Sequence, residues 1–293
     1  MPSMTAQIRE TRVGANGMEF ACLEAGDGPL VLLLHGFPDT AHTWRHLIPS
    51  LAEAGWRAVA PFMRGYSPTT IPSDGSYHTG SLASDACALH EALGGDSDAV
   101  LIGHDWGALA AYGAAVAEPG RWRRVVTMAV PPSPAMARAF FDYDQLRRSF
   151  YIFFFQTPLA DAVVRADGFR FIRRLWEDWS PGYDAREDLV HVIDSIGSEQ
   201  NLAAALGYYR ALFDEAQPPG DVSRFQAATA GVPTQPLLYL HGTADGCVGV
   251  ELTEGLENYL AEGSSVVRLE KAGHFLHLER PEHVSELVLT HLG

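Results

Sequence analysis

Four short stretches of this chain carry residue types able to break and remake a covalent bond. Gly103-His104-Asp105-Trp106-Gly107 sets a carboxylate between two glycines, the pattern of a strained strand-to-helix turn that presents a nucleophile. His35-Gly36-Phe37-Pro38-Asp39 offers the backbone N–H of Phe37 as an oxyanion donor, and the N–H of Trp106 offers a second. His241-Gly242-Thr243-Ala244-Asp245 ends in another carboxylate, and Lys271-Ala272-Gly273-His274 ends in an imidazole that Asp245 would orient. The order nucleophile, acid, histidine is itself a signature. The rival place for the acid, Ala129-Val130-Pro131-Pro132, holds no carboxylate, which favours Asp245.

These residue types select the chemistry. A serine alkoxide attacking a saturated carbon would leave an inert ether. A carboxylate leaves an ester, which water can hydrolyse at the carboxyl carbon. Carboxylates are ionised at neutral pH, so Asp105 needs no base for its attack. His274 is needed only afterwards, to activate water.

The elements that must position these groups are legible as a rhythm. Residues 9–15 and 18–24 flank Asn16-Gly17 and read as a hairpin. Apolar runs at 30–35, 57–61, 98–103, 124–130, 236–241 and 265–270 read as strands, most of them covered on both faces. Helical patterns fall at 43–54, 80–93, 106–117, 250–261 and 281–291. Alternating strands and helices imply an α/β fold with a mostly parallel sheet. From 131 to 231 no buried strand is visible. That stretch is rich in aromatics and arginine, opens on Pro131-Pro132-Ser133-Pro134 and closes on Gln217-Pro218-Pro219-Gly220. It reads as a helical cap inserted into a core formed by 1–130 and 232–293.

With these pieces in place, the sequence resembles the epoxide hydrolases of the α/β-hydrolase fold over nearly its whole length. The resemblance rests on HGFPD (35–39), RGYSPT (64–69), GHDWGA (103–108), the Asp245 loop and AGHFLHLERPEHV (272–284). Phe62 is a departure, since many relatives carry Asp in the run before RGY. The resemblance implies two cap tyrosines that hold the epoxide oxygen. Tyr151 matches the first, in Tyr151-Ile152-Phe153-Phe154-Phe155-Gln156, and Tyr209 the second, beside its rival Tyr208. The implied substrates are a small apolar epoxide and water; Trp106 reads as a further substrate contact, either a packing ring or an indole N–H directed at a leaving halide. Two rival readings remain. A haloalkane or haloacid dehalogenase of the same fold also uses Asp, His and Asp, although Phe37 stands where haloalkane relatives often have Asn. A non-catalytic ligand-binding protein on this fold would not need Asp105, Asp245 and His274.

Composition excludes other classes. The 293 residues are 47% hydrophobic and 19% charged, which rules out disorder. Acidic residues outnumber basic ones 36 to 21 for a formal charge of -15, so nucleic-acid and membrane-surface roles are not expected. The amino terminus MPSMTAQIRETRVG has no apolar core of a secretory signal. Cys22, Cys87 and Cys247 show no CxxC spacing and read as reduced thiols of a cytoplasmic enzyme. No GxGxxG or Walker loop implies a nucleotide cofactor. His42 and His46 lie four apart but lack acidic or cysteine partners, so they read as a solvated helix face and no metal is expected. Phe153 to Phe155 read as cap core, and His277 as pointing away from the site. A homodimer is left open.

Overall fold

The computed structural model describes residues 7–214 and 222–293. Gln217-Pro218-Pro219-Gly220 and the first six residues lie outside the described residues. Strand β1 (Arg9–Ala15) turns through Asn16 and Gly17 into β2 (Met18–Ala25). Both turn residues have positive φ, 48° and 74°, as a two-residue hairpin loop demands. There follow β3 (Leu30–Leu34), α1 (Leu47–Glu53), β4 (Arg57–Pro61), α2 (Thr79–Ala92), β5 (Val100–His104), α3 (Trp106–Ala117) and β6 (Arg124–Met128). Between β6 and β7 lie α4 (Ser133–Met136), α5 (Tyr143–Arg148), α6 (Phe150–Phe154), α7 (Ala160–Trp179), α8 (Arg186–Ile196), α9 (Glu199–Arg210) and α10 (Val222–Ala228), the last of which packs against α2 and α3 of the core and not among the helices above the sheet. The chain then returns through β7 (Leu237–Gly242), β8 (Ser265–Leu269), α11 (Leu276–Glu279) and α12 (Pro281–Leu292).

The eight strands form one sheet in the order β1-β2-β4-β3-β5-β6-β7-β8. β2 runs antiparallel to both of its neighbours, and every pairing from β4 to β8 is parallel. This is an α/β-hydrolase fold. The central strands are largely apolar because helices cover both faces; Val31, Leu32, Val100, Leu101, Val125 and Val126 have no exposed surface. The edge strand β8 is only half covered. Parallel order brings the carboxyl ends of β3, β5, β7 and β8 to one rim, where ligands bind in such sheets.

Two helical expectations fail locally. Residues 250–261 form two short 3-10 turns, Val250–Thr253 and Leu256–Asn258, instead of a helix. Gly255 between them sits at φ 73°, a left-handed residue that stops helix propagation. The expected helix over 43–54 divides into a 3-10 turn at Ala41–Trp44 and then α1. Thr40 caps that turn by accepting the N–H of His42 at 3.3 Å. His42 therefore leaves the solvated face; it stacks on His191 of α8 with centroids 3.8 Å apart, whereas His46 is exposed. The phenylalanine run also splits: Phe155 is fully buried, but Phe153 is 42% exposed. Among the described residues, no helix is long and apolar enough to cross a membrane.

Candidate active site

The turn from β5 into α3 holds Asp105 at φ 52° and ψ -117°, a conformation non-glycine residues adopt only under constraint. The constraint is close packing. A Cβ on Gly107 would lie 2.0 Å from the Leu34 carbonyl oxygen, and one on Gly36 would lie 2.2 Å from Asp105 Oδ1. Neither position admits a side chain. His35 locks the facing turn, since its Nε2 accepts the Met63 N–H at 3.0 Å and its Nδ1 pairs with the Gly36 carbonyl at 2.9 Å.

The two oxygens of Asp105 have different surroundings. Oδ1 accepts the Phe37 N–H at 2.7 Å. Oδ2 lies 3.6 Å from His274 Nε2, which has no hydrogen-bond partner. On the other side of the ring, His274 Nδ1 and Asp245 Oδ2 are 2.9 Å apart. Asp245 Oδ1 in turn accepts the N–H groups of Cys247 and Val248 at 2.7 and 2.9 Å. All three side chains are buried. Burial alone would depress the His274 pKa, but Asp245 and Asp105 outweigh it and raise it to about 10. Burial likewise disfavours the Asp245 carboxylate, yet the imidazolium beside it holds that pKa below the usual value.

Above Asp105 stand the cap phenols. Tyr151 and Tyr209 are 4% and 2% exposed, with ring centroids 5.4 Å apart. Tyr209 packs edge-on against Phe37 and Trp106, and its hydroxyl makes no well-formed hydrogen bond. The Tyr151 hydroxyl lies 3.3 Å from Cys247 Sγ. Tyr208 turns away, donating to the Arg64 carbonyl at 2.8 Å. Gln156 braces the pair by donating from α6's end to the Tyr209 carbonyl at 2.9 Å, and Arg210 donates back to the Phe155 carbonyl at 3.1 Å. Burial pushes both phenol pKa values well above the ordinary one, and the Asp105 charge adds to this. They are donors at neutral pH. Asp105, Trp106, Tyr151, Tyr209 and Cys247 share a cavity of about 250 Å³ walled by Leu109, Val130, Met136 and Ile152. A larger cavity of about 510 Å³, beside Glu10, His42 and His191, includes none of these groups.

Several contributors carry no signal in the sequence. The Trp179 carbonyl, at the end of α7, accepts both the Gly246 and the His274 N–H, at 3.1 and 3.0 Å. Ser180 Oγ accepts the Phe275 N–H at 3.0 Å and donates to Glu279 at 2.7 Å. The acid and base loops are thus tied to the cap. Behind the triad, Asp39, His104 and His277 bring ligand-type atoms within 4.8 Å of one another, the one such set among the described residues. Burial pushes Asp39 up to about 8 and His104 down to about 3, and holds His277 well below its usual value. Burial therefore disfavours charge on all three. His104 Nε2 and the His274 carbonyl are 2.9 Å apart, while His277 Nε2 faces Thr43 Oγ1 at 2.5 Å, away from Asp105.

Residues 29–281 match the family model described as alpha/beta hydrolase fold. Epoxide hydrolase A of Mycobacterium tuberculosis is 30% identical, with 97% of each chain covered. Among solved structures, an epoxide hydrolase of Bacillus megaterium in complex with an inhibitor superposes with a TM-score of 0.82 at 28% identity, covering 96% of this chain and 99% of that one. Epoxide Hydrolase A from Mycobacterium thermoresistibile gives 0.79 at 31% identity, covering 98% of each chain.

Proposed function

We propose, for a chain that belongs to the α/β-hydrolase fold family and stands among its epoxide hydrolases, that small apolar epoxides are opened to vicinal diols through an ester on Asp105. The observation that carries this reading is the division of labour between the two oxygens of Asp105. Oδ1 is engaged by the Phe37 N–H at 2.7 Å, so Oδ2 is the free nucleophile, 3.6 Å from the base.

In this reading Oδ2 attacks an epoxide carbon and the ring C–O bond breaks. The departing oxygen takes a proton from a phenol, with Tyr151 and Tyr209 both donating to the developing charge. Water then attacks Cγ of Asp105 while His274 Nε2 accepts its proton, and Asp245 stabilises the imidazolium. Oδ1 becomes the oxyanion, held by Phe37 and, by its place after the nucleophile, the Trp106 N–H. Collapse breaks the Cγ–Oδ2 bond, the leaving alkoxide takes the proton held on His274 Nε2, and the proton left on the Asp105 acid returns to the phenolate, which releases the diol and restores the enzyme. Apolar walls keep competing water out. Three free, buried thiols support a reducing cytoplasmic setting.

A single turnover of styrene oxide in oxygen-18 water tests the ester. The expected result is label retained in the peptide containing Asp105 and an unlabelled diol, because the diol takes its oxygen from the old carboxylate. Label only in the diol after one turnover would mean direct attack by water, and the reading would fall. Bromide release from a bromoalkane without diol formation from epoxides would favour halide chemistry instead.

A further inference from the structure

One cavity-lining side chain has no part in the steps above. Cys247 is 1% exposed and lies beside Asp105, Tyr151 and Tyr209. It makes three different bonds. Its N–H donates to Asp245 Oδ1 at 2.7 Å. Its carbonyl accepts from Gln145 of α5 at 2.8 Å, and Gln145 also accepts the Gly249 N–H at 2.8 Å. Its sulfur sits 3.3 Å from the Tyr151 hydroxyl. One residue therefore touches the triad acid, an anchor of the cap and one phenol of the clamp.

The two phenols are unequal for this reason. Tyr209 has no well-formed hydrogen bond, whereas Tyr151 is held by sulfur. Sulfur is a weak acceptor and a thiol a weak donor, so this bond yields readily to an epoxide oxygen while still fixing the phenol before substrate arrives. A hydroxyl at 247 would compete far better for the same proton. The thiol is no rival nucleophile, because burial and the Asp245 and Asp105 charges hold its pKa well above the usual one.

We propose that Cys247 is a positioning and specificity-determining residue: its sulfur holds the Tyr151 hydroxyl over the cavity, and its bulk sets the room behind that phenol. The proposal rests on the epoxide reading of the site. No bond forms at sulfur; the Tyr151 O–H changes acceptor from sulfur to the epoxide oxygen.

Rapid-quench measurement of ester formation and ester hydrolysis, with the full chain and styrene oxide, tests it. Cys247→Ser should slow ester formation about fivefold to tenfold, the worth of one stronger competing hydrogen bond, and leave ester hydrolysis unchanged. Cys247→Val keeps the bulk but releases the Tyr151 hydroxyl and should slow ester formation about twofold to threefold, the worth of one weak hydrogen bond. Cys247→Ala should lower KM for epoxides bearing an extra methylene. In a Tyr151→Phe background the serine effect should vanish, which a purely structural role would not produce. If Cys247→Ala fails to fold, the serine and valine variants still decide the matter. Parent-like ester formation in Cys247→Ser, or a serine defect that persists in Tyr151→Phe, overturns the proposal. Wild-type protein that makes no diol from any epoxide would instead overturn the epoxide reading.

Discussion

His274→Gln should convert epoxide into a stable alkyl-enzyme and lower turnover by about 10²–10⁴-fold, the usual contribution of a positioned general base. The carboxylate attacks without help, so the first step survives. The second needs an acceptor for a water proton, and Nε2 is the unpartnered nitrogen facing Asp105 at 3.6 Å. Intact-protein mass spectrometry should show one substrate added per chain; steady-state turnover like the parent's would remove His274 from the mechanism. The same geometry sets a pH dependence. In the free enzyme His274, at about 10, is protonated at neutral pH. Forming the ester abolishes the Asp105 charge 3.6 Å from Nε2, one of the influences that raise His274, so its pKa falls and it gives up its proton more readily. Hydrolysis requires neutral imidazole, so its rate should rise with pH through the lowered value and then level, with ester accumulating in acid. An ester fraction independent of pH in rapid-quench runs would contradict this.

The double variant Tyr151→Phe/Tyr209→Phe should be nearly inactive on epoxides. Each phenol is a buried donor over Asp105, and removing one donor to a developing oxyanion costs about 10²–10³ in rate. Substrate binding should weaken less, because an ether oxygen is a poor acceptor until the ring opens. The measurement is rapid-quench ester formation in both single variants and the double. Near-parental rates would mean that the phenols only pack among Phe37, Phe155 and Trp106, and would return weight to halide chemistry.

What was legible in the sequence was what is local. Asp105, Asp245 and His274 each follow a short apolar strand, and a parallel sheet with right-handed crossovers must bring such strand ends to one rim. The glycines at 36 and 107 mark close approaches that are visible as residue types. Tyr208 and Tyr209 were not separable by pattern, because neighbours on a helix point roughly 100° apart and the facing side depends on where the cap docks. In the structure Tyr208 donates to a distant backbone atom, the Arg64 carbonyl, while Tyr209 lines the cavity. The helix expected over 250–261 had an apolar rhythm but a glycine at its centre, and the left-handed turn at Gly255 prevailed. Cys247 reads in the sequence only as a reduced thiol, and the Trp179 carbonyl not at all, because a lone thiol and a main-chain oxygen carry no spacing rule.

That Trp179 carbonyl has a practical corollary for anyone who wishes to re-engineer substrate range by exchanging caps between relatives. Gly246 and His274 both send their amides to it, so a graft cut on the near side of α7's last turn would strand two interior donors. Each would carry an unmet cost of about 1–3 kcal/mol, located in the loops that aim Asp245 and His274. Splice points are better placed so that residues 176–180 travel with the sheet and not with the cap. A transplant drawn that way keeps its catalytic aim while its ceiling is replaced.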